Sequence, residues 1–196
     1  MKVLFAESHN LDRPDPLGSH QYIRLFQQEG ADCLWLGPAI TPLHLFKPDH
    51  LNRHRFRVWR EGNRKVEGID WLIPFSFLFY YDLPLMRNLY SGRNQYRYCL
   101  PPITRQLKRF DFAKVDLLWC AGPVALSLLD LVPHRLSCYR LADRLDQFSR
   151  IPDNVEVLQQ ELIRKVDFVL TTSLSLYDWT RQVREERVYY LPNGVG

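Results

Sequence analysis

From Leu136 onward, three extended apolar stretches alternate with two helical ones, and each extended stretch stops on small or polar residues. LSCYRLAD stops at Asp143, DFVLTTS stops at Ser173, and RVYYLPNGV runs into Asn193 and Gly194. Between the first two, residues 154–165 carry Val155, Leu158 and Leu162 at helical spacing, with Val166 following. Asp153 and Glu156 are placed as a capping box. LSLYDWTRQV separates the second and third stretches, with Ser173 as its expected cap. Parallel strands need a crossover connection, usually a helix, so this alternation leaves few folds besides a parallel sheet layered with helices. Ligands of such sheets bind outside the carboxyl ends of the strands, where these polar termini fall.

The rest of the chain repeats the alternation. Residues 2–7 read as a strand, and the loop HNLDRPDPLGS follows. Ser19 is then placed to cap a helix to residue 29, with Tyr22, Ile23 and Phe26 on one face and Gly30 as its stop. Further strands are expected at residues 32–36, 68–73, 115–120, 136–142, 167–172 and 187–191. Pro123 fits the first turn of the helix VALSLLDL. Residues 39–67 have weak periodicity, and the alternating run RHRFRVWR predicts an exposed strand, a hairpin or a solvated loop. PFSFLFYYDLPLMRNLY and SGRNQYRY show no clear period, whereas ITRQLKRF is helix-like. The expected fold is α/β: a Rossmann-like, mostly parallel sheet of about seven strands with helices on both faces, in one domain spanning residues 1–196.

Composition narrows the class. With 46% apolar and 24% charged residues the chain reads as a soluble globular protein, and no apolar run approaches the roughly 20 residues of a membrane span. The four cysteines form no CxxC pair and sit mostly in apolar surroundings, which predicts packed thiols and a reducing cytoplasm. Residues 47–109 hold 13 Lys and Arg against 5 Asp and Glu, so the middle third is basic and interleaved with aromatics. Three readings of it stay open: single-stranded nucleic acid, an anionic membrane surface, or a solvated face. No nucleic-acid-binding module signature accompanies it, which disfavours the first.

The loop after the first strand offers Gly18 alone where a dinucleotide fingerprint needs GxGxxG, and no GxxxxGK[ST] occurs, so no nucleotide cofactor is expected. Gly18, Ser19 and His20 can still present helix N–H groups to an anion or a sugar hydroxyl, or simply cap the helix; the same pair of readings holds for Ser173. Asp143, at the carboxyl end of a central strand, is a candidate general base, its alternatives being an ion pair with Arg140 or Arg144 or a cap on the next turn. Asp146 reads as its solvated neighbour or hydrogen-bond partner. Glu7 and His9 occupy the equivalent rim position after the first strand, or form an exposed loop pair. The six histidines show no HExxH or comparable spacing, so no metal is expected.

MKVLFAES with LGSHQYIRLFQQEGADCLWLG, then GIDWLIPF, VDLLWCAGP, YRLADRLDQF and ELIRKVDFVLTTSLSLYDW ending in VYYLPNGV, together resemble the N-terminal domain of bacterial GT-B glycosyltransferases of the family 4-like group. YRLAD followed by an acidic helix is most similar to transferases that build extracellular polysaccharides, such as xanthan-type glucuronosyltransferases. The resemblance implies an acceptor-binding domain, with Asp143 matching the catalytic aspartate of inverting members. It also implies a nucleotide-sugar donor held mainly by a second domain expected beyond residue 196, and an acceptor glycan that is often lipid-linked. Glu7, His9, Gly18, Ser19, His20, Gly122 and Ser173 would line the acceptor crevice, and residues 75–81 with Arg87 would meet the lipid. The implied location is the cytoplasm, at the inner face of the cell membrane. One departure is the first loop, in which the family's glycines are reduced to Gly18. The alternative function is a non-catalytic α/β module that binds a glycan or a lipid phosphate.

Overall fold

The computed structural model describes residues 1–15, 18–46, 50–62, 64–81, 88–145, 152 and 154–192. Its strands are β1 (Lys2–Ala6), β2 (Asp32–Leu36), β3 (Arg64–Val66), β4 (Ile69–Leu72), β5 (Val115–Cys120), β6 (His134–Leu141), β7 (Phe168–Thr171) and β8 (Val188–Tyr190). They form one sheet in the order β3-β4-β2-β1-β5-β6-β7-β8. All neighbours run parallel except β3, which turns back antiparallel on β4. The fold is therefore α/β and Rossmann-like, with eight strands in place of the seven expected. The extra one, Arg-Lys-Val, is too short and too polar to announce itself by alternation; it folds back through Glu67 and Gly68, both at positive φ (51° and 82°).

The helices are α1 (Gly18–Gln28), α2 (Pro42–Phe46), α3 (His50–Glu61), α4 (Leu89–Asn94), α5 (Ile103–Arg109), α6 (Leu126–Leu131), α7 (Val155–Lys165) and α8 (Leu174–Val183). Strand alternation sorts the side chains into two cores, one on each side of the sheet. Val3, Phe5, Trp35, Trp71 and Trp119 meet Ile23 of α1 and Val58 of α3 on one side. Leu4, Leu34, Leu36, Leu118 and Cys120 meet Leu107 of α5, Leu128 of α6, Leu158 and Leu162 of α7, and Leu176 of α8 on the other.

Three local expectations are corrected. The run RHRFRVWR is not a strand, hairpin or loop but part of α3. Its inward stripe includes the polar residues His54 and Arg55, which bond to Asp12 and Asn10, beside Phe56, Val58 and Trp59 in the apolar core; that polar content hides the helical period. Ser19 lies inside the first turn of α1, which begins at Gly18, and does not cap it. The N-cap of α7 is Asn154, without a side-chain cap bond; its Oδ1 accepts instead from the Tyr80 hydroxyl at 2.6 Å, and Asp153 lies outside the described residues. Ser173 does cap α8, accepting from Leu176 N at 3.3 Å.

Among the described residues no helix is long and apolar enough to cross a membrane. All four cysteines are unpaired. Burial pushes the Cys33 thiol up to about 11 and the Cys99 thiol up to about 12, as expected of packed, unreactive groups.

Leu118 is fully enclosed in β5, next to the central strand. Leu118→Ala is expected to lower the unfolding free energy by about 2–5 kcal/mol, measured by urea denaturation. A loss below about 1 kcal/mol would show that β5 is not at the packed centre.

Candidate functional site

β1 pairs with β2 on one side and with β5 on the other, so the strand order reverses at the β1–β5 boundary, where doubly wound sheets open a crevice. Two backbone bonds carry the pairing past the strand ends: Glu7 N donates to Leu36 O, and Ala121 N donates to Ala6 O, both at 2.9 Å. Beyond them the chains part. A cavity of about 200 Å³ opens there, lined by Glu7, Ser8 and His9 after β1, Gly18 and Ser19 at the start of α1, Ala121 after β5, and Tyr139, Arg140, Ala142, Asp143 and Leu145 at the end of β6.

Sheet parity sends Glu7 to the same face as Val3 and Phe5, underneath Ser19, and leaves it only 5% exposed. Burial raises its carboxyl from the usual carboxylate range to about 7. The Ser19 hydroxyl, the charge of Arg140 and the Trp119 indole N–H offset only part of that rise. Oε1 of Glu7 is enclosed and has no hydrogen-bond partner, and Trp119 Nε1 is likewise enclosed and unpartnered. Arg140 is buried too, with its guanidinium 5.7 Å from the centre of the Tyr22 ring.

Asp143 stands at the opposite wall, exposed to solvent. Among the described residues its carboxylate makes no ion pair with Arg140 or Arg144; Arg144 faces Glu156 at 3.9 Å and the Trp179 ring at 5.0 Å. The turn that carries Asp143 is held by Gln159, a fully buried residue of α7. Gln159 Nε2 donates to Asp143 O at 3.2 Å and to the Tyr139 hydroxyl at 3.1 Å, while its Oε1 accepts from Leu145 N at 3.1 Å. Thr172 Oγ1 donates to Ala142 O at 3.1 Å from the other side. The base candidate thus sits on a turn fixed by two neighbouring elements.

His9 lies at the rim, and Trp35 Nε1 donates to its carbonyl at 3.0 Å. Loss of hydration on its protein side, then the charges of Arg13, His20 and Arg55, push its imidazole well below the ordinary value, with Asp143 pulling weakly the other way. On its far side is a larger cavity of about 470 Å³, lined by Asn10, Asp12, Arg13, His54 and Arg55 among others. There His54 Nε2 bonds to Asp12 at 2.7 Å, and Arg55 Nε donates to Asn10 Oδ1 at 2.9 Å.

Of the residues singled out in the sequence, the fold therefore gathers Asp143, Glu7, His9, Gly18 and Ser19 around one cavity. Gly122 stands just behind, in the turn after β5, where an added Cβ would meet only Ser8 Cβ, at 4.0 Å. His20 and Ser173 go elsewhere. His20 is buried under the first loop, its Nε2 3.2 Å from Asn10 O and its ring 4.5 Å from that of Trp35. Ser173 caps α8 and does not line the crevice. Asp146 and Arg87 lie outside the described residues. The sequence reading gave no site role to Arg140 or Gln159, although a charged residue in a central strand and a glutamine on the inward face of a helix are both visible signals. It missed the larger cavity because that cavity depends on α3. Among the described residues, no group of three or more His, Cys, Asp or Glu is placed to hold a metal ion. Compared with models of known protein families and with curated proteins, the chain matches none.

The Glu7 shift sets a pH dependence. The folded state holds the Glu7 proton to about 7, against 4.5 for the free group, so this residue's contribution to stability is fully present below about pH 4.5. It is lost as pH rises through about 7. The loss is on the order of 3 kcal/mol. Glu7→Gln, which cannot ionise, is expected to match the wild type near pH 4 and to gain this amount over it by pH 8, read as the difference in urea midpoints. An equal difference at both pH values would show that Glu7 ionises normally.

Proposed function

We propose that the chain is the acceptor-recognition half of a nucleotide-sugar-dependent glycosyltransferase of surface or extracellular polysaccharide synthesis. The observation that carries this reading is the exposed Asp143 carboxylate, fixed at the carboxyl edge of β6 and sharing one cavity with Glu7, His9, Gly18 and Ser19. In the proposed step, Asp143 takes the proton of an acceptor hydroxyl while that oxygen attacks the anomeric carbon of the donor sugar. The carbon–oxygen bond to the nucleotide phosphate breaks, and the nucleotide leaves with the electron pair. The donor nucleotide is held by a second domain; the single glycine of the first loop gives this half little with which to bind a diphosphate.

A lipid-linked acceptor is supported by an exposed apolar patch beyond the crevice. Phe77, Tyr90, Tyr98 and Leu100 are 42–55% exposed, and Phe77 N bonded to Tyr98 O (3.1 Å) with Leu100 N bonded to Phe75 O (2.9 Å) joins the two segments. The basic residues of the middle third are divided between layers. Arg53, Arg57 and Arg60 are exposed on α3, on one side of the sheet, and Arg105, Lys108 and Arg109 are exposed on α5, on the other. They support contact with a membrane at the cytoplasmic face less directly than the aromatics do.

The test is Asp143→Asn in a polypeptide that carries this chain together with its donor domain. Transfer of labelled sugar to acceptor is expected to fall about 10²–10⁴-fold, with the urea midpoint unchanged because the side chain is exposed. Transfer at the wild-type rate would remove Asp143 from the mechanism.

A further inference from the structure

We propose that Glu7 is the residue through which the crevice selects its ligand: Oε1 accepts a hydrogen bond from a ligand hydroxyl next to the one that Asp143 deprotonates, so a neutral polyol seats here and an oxyanion does not. This rests on the reading of the crevice as an acceptor site and adds the chemical class that the site admits.

The geometry comes first. An enclosed acceptor atom without a partner is destabilising and rare in folded proteins. Glu7 Oε1 is such an atom, on a side chain 5% exposed, lining the crevice at the point where the sheet reverses. Glu7 lines the cavity, and a turn of its side chain brings Oε1 to a ligand donor there, which supplies the missing bond. The cavity's roughly 200 Å³ is the scale of one sugar unit, and the other acid facing it is Asp143. Above about pH 7, where Glu7 and Asp143 are both ionised, their two charges outweigh that of Arg140 in the same lining, which disfavours phosphate, sulfate or carboxylate and favours O–H donors.

The groups packed around Glu7 do not replace this ligand. Arg140 of β6 acts on it through charge while lying over the Tyr22 ring. Ser19 of α1 and the Trp119 indole N–H of β5 come close enough to favour its charged form, without reaching hydrogen-bond geometry at Oε1. Cys120 of β5, Cys138 of β6 and Tyr96 of the 95–98 turn also face it; burial pushes each of them up and keeps it neutral near pH 7. His9 and Asp143 line the same cavity. A hydroxyl binds an ionised carboxylate more strongly than a protonated one. Affinity therefore rises as pH passes through about 7, where the Glu7 proton leaves.

The experiment follows the Trp119 indole N–H resonance of the ¹⁵N-labelled full chain, which sits beside Glu7. The probes are the methyl glycosides of glucose, mannose, galactose and N-acetylglucosamine, with inorganic phosphate as counter-probe. At least one glycoside is expected to shift the resonance saturably, with affinity about tenfold higher at pH 8 than at pH 6. Glu7→Gln, which retains an acceptor oxygen and the fold, should bind more weakly at pH 8 and show no pH dependence. Equal affinity and slope in Glu7→Gln and wild type would overturn the role of Glu7 and leave the acceptor reading standing. Saturable binding of phosphate with none of the glycosides would overturn both, and silence toward every probe would overturn the proposal.

Discussion

Because β1 pairs in parallel with β2 on one side and β5 on the other, the chain must leave these two central strands toward opposite faces of the sheet. After β1 it climbs to α1, whose Ile23 packs with Phe5 and Trp119; after β5 it turns the other way, toward α6 and the core of Leu118 and Leu128. The two connections begin one backbone hydrogen bond past their strands and cannot stay together. The crevice is the space they leave. Its floor is whatever residue continues β1 on the α1 side, and parity makes that residue Glu7.

A carboxyl group in that position is costly, and nothing in the packing of the sheet demands it: an apolar residue would continue Val3 and Phe5 more cheaply. The protein instead surrounds Glu7 with groups that partly compensate, namely Ser19, Arg140 and Trp119, while leaving Oε1 without a bond. Across the cavity the investment is of another kind. Gln159 gives its carbonyl oxygen and one N–H to the turn around Asp143 and its other N–H to the Tyr139 hydroxyl, and Thr172 holds the preceding carbonyl, so the exposed carboxylate is fixed through its backbone and not through its own oxygens. Those oxygens stay available to a substrate.

Much of this layout can be read from residues alone. The strands at Lys2, Asp32 and Val115 and the helix Leu174–Val183 follow from period and from punctuation by Gly, Pro and Ser, because their apolar faces are nearly pure. α3 escapes that reading for the opposite reason: His54 and Arg55 point inward to satisfy Asp12 and Asn10, and a hydrophobicity pattern does not register a face that packs through polar bonds. The same blind spot covers the larger cavity between α3 and the first loop. Of the site, Asp143, Glu7, His9, Gly18 and Ser19 converge because strand ends of a parallel sheet must converge. His20 and Ser173 share their sequence setting but not their place. One residue beyond Ser19, the turn of α1 points His20 under the loop, and Ser173 ends a strand two places away from β5. A sequence locates strand ends; it does not state the order in which strands lie side by side, and that order decides which ends meet.

The two carboxyl groups of the crevice therefore differ by position and not by kind. Glu7 is one residue past its strand, still within the footprint of α1, and is dehydrated. Asp143 is two residues past Leu141, beyond the last paired position of β6, and is open to water. A base must release its proton to solvent after each cycle, which favours the open place. A group that discriminates among ligands gains from the closed one, where each unmade hydrogen bond is felt at nearly full strength. In the proposed reading Asp143 is the proton acceptor and Glu7 the hydroxyl reader, and the bonds from Gln159 to Asp143 O and Leu145 N hold the first of them at the open wall of the crevice.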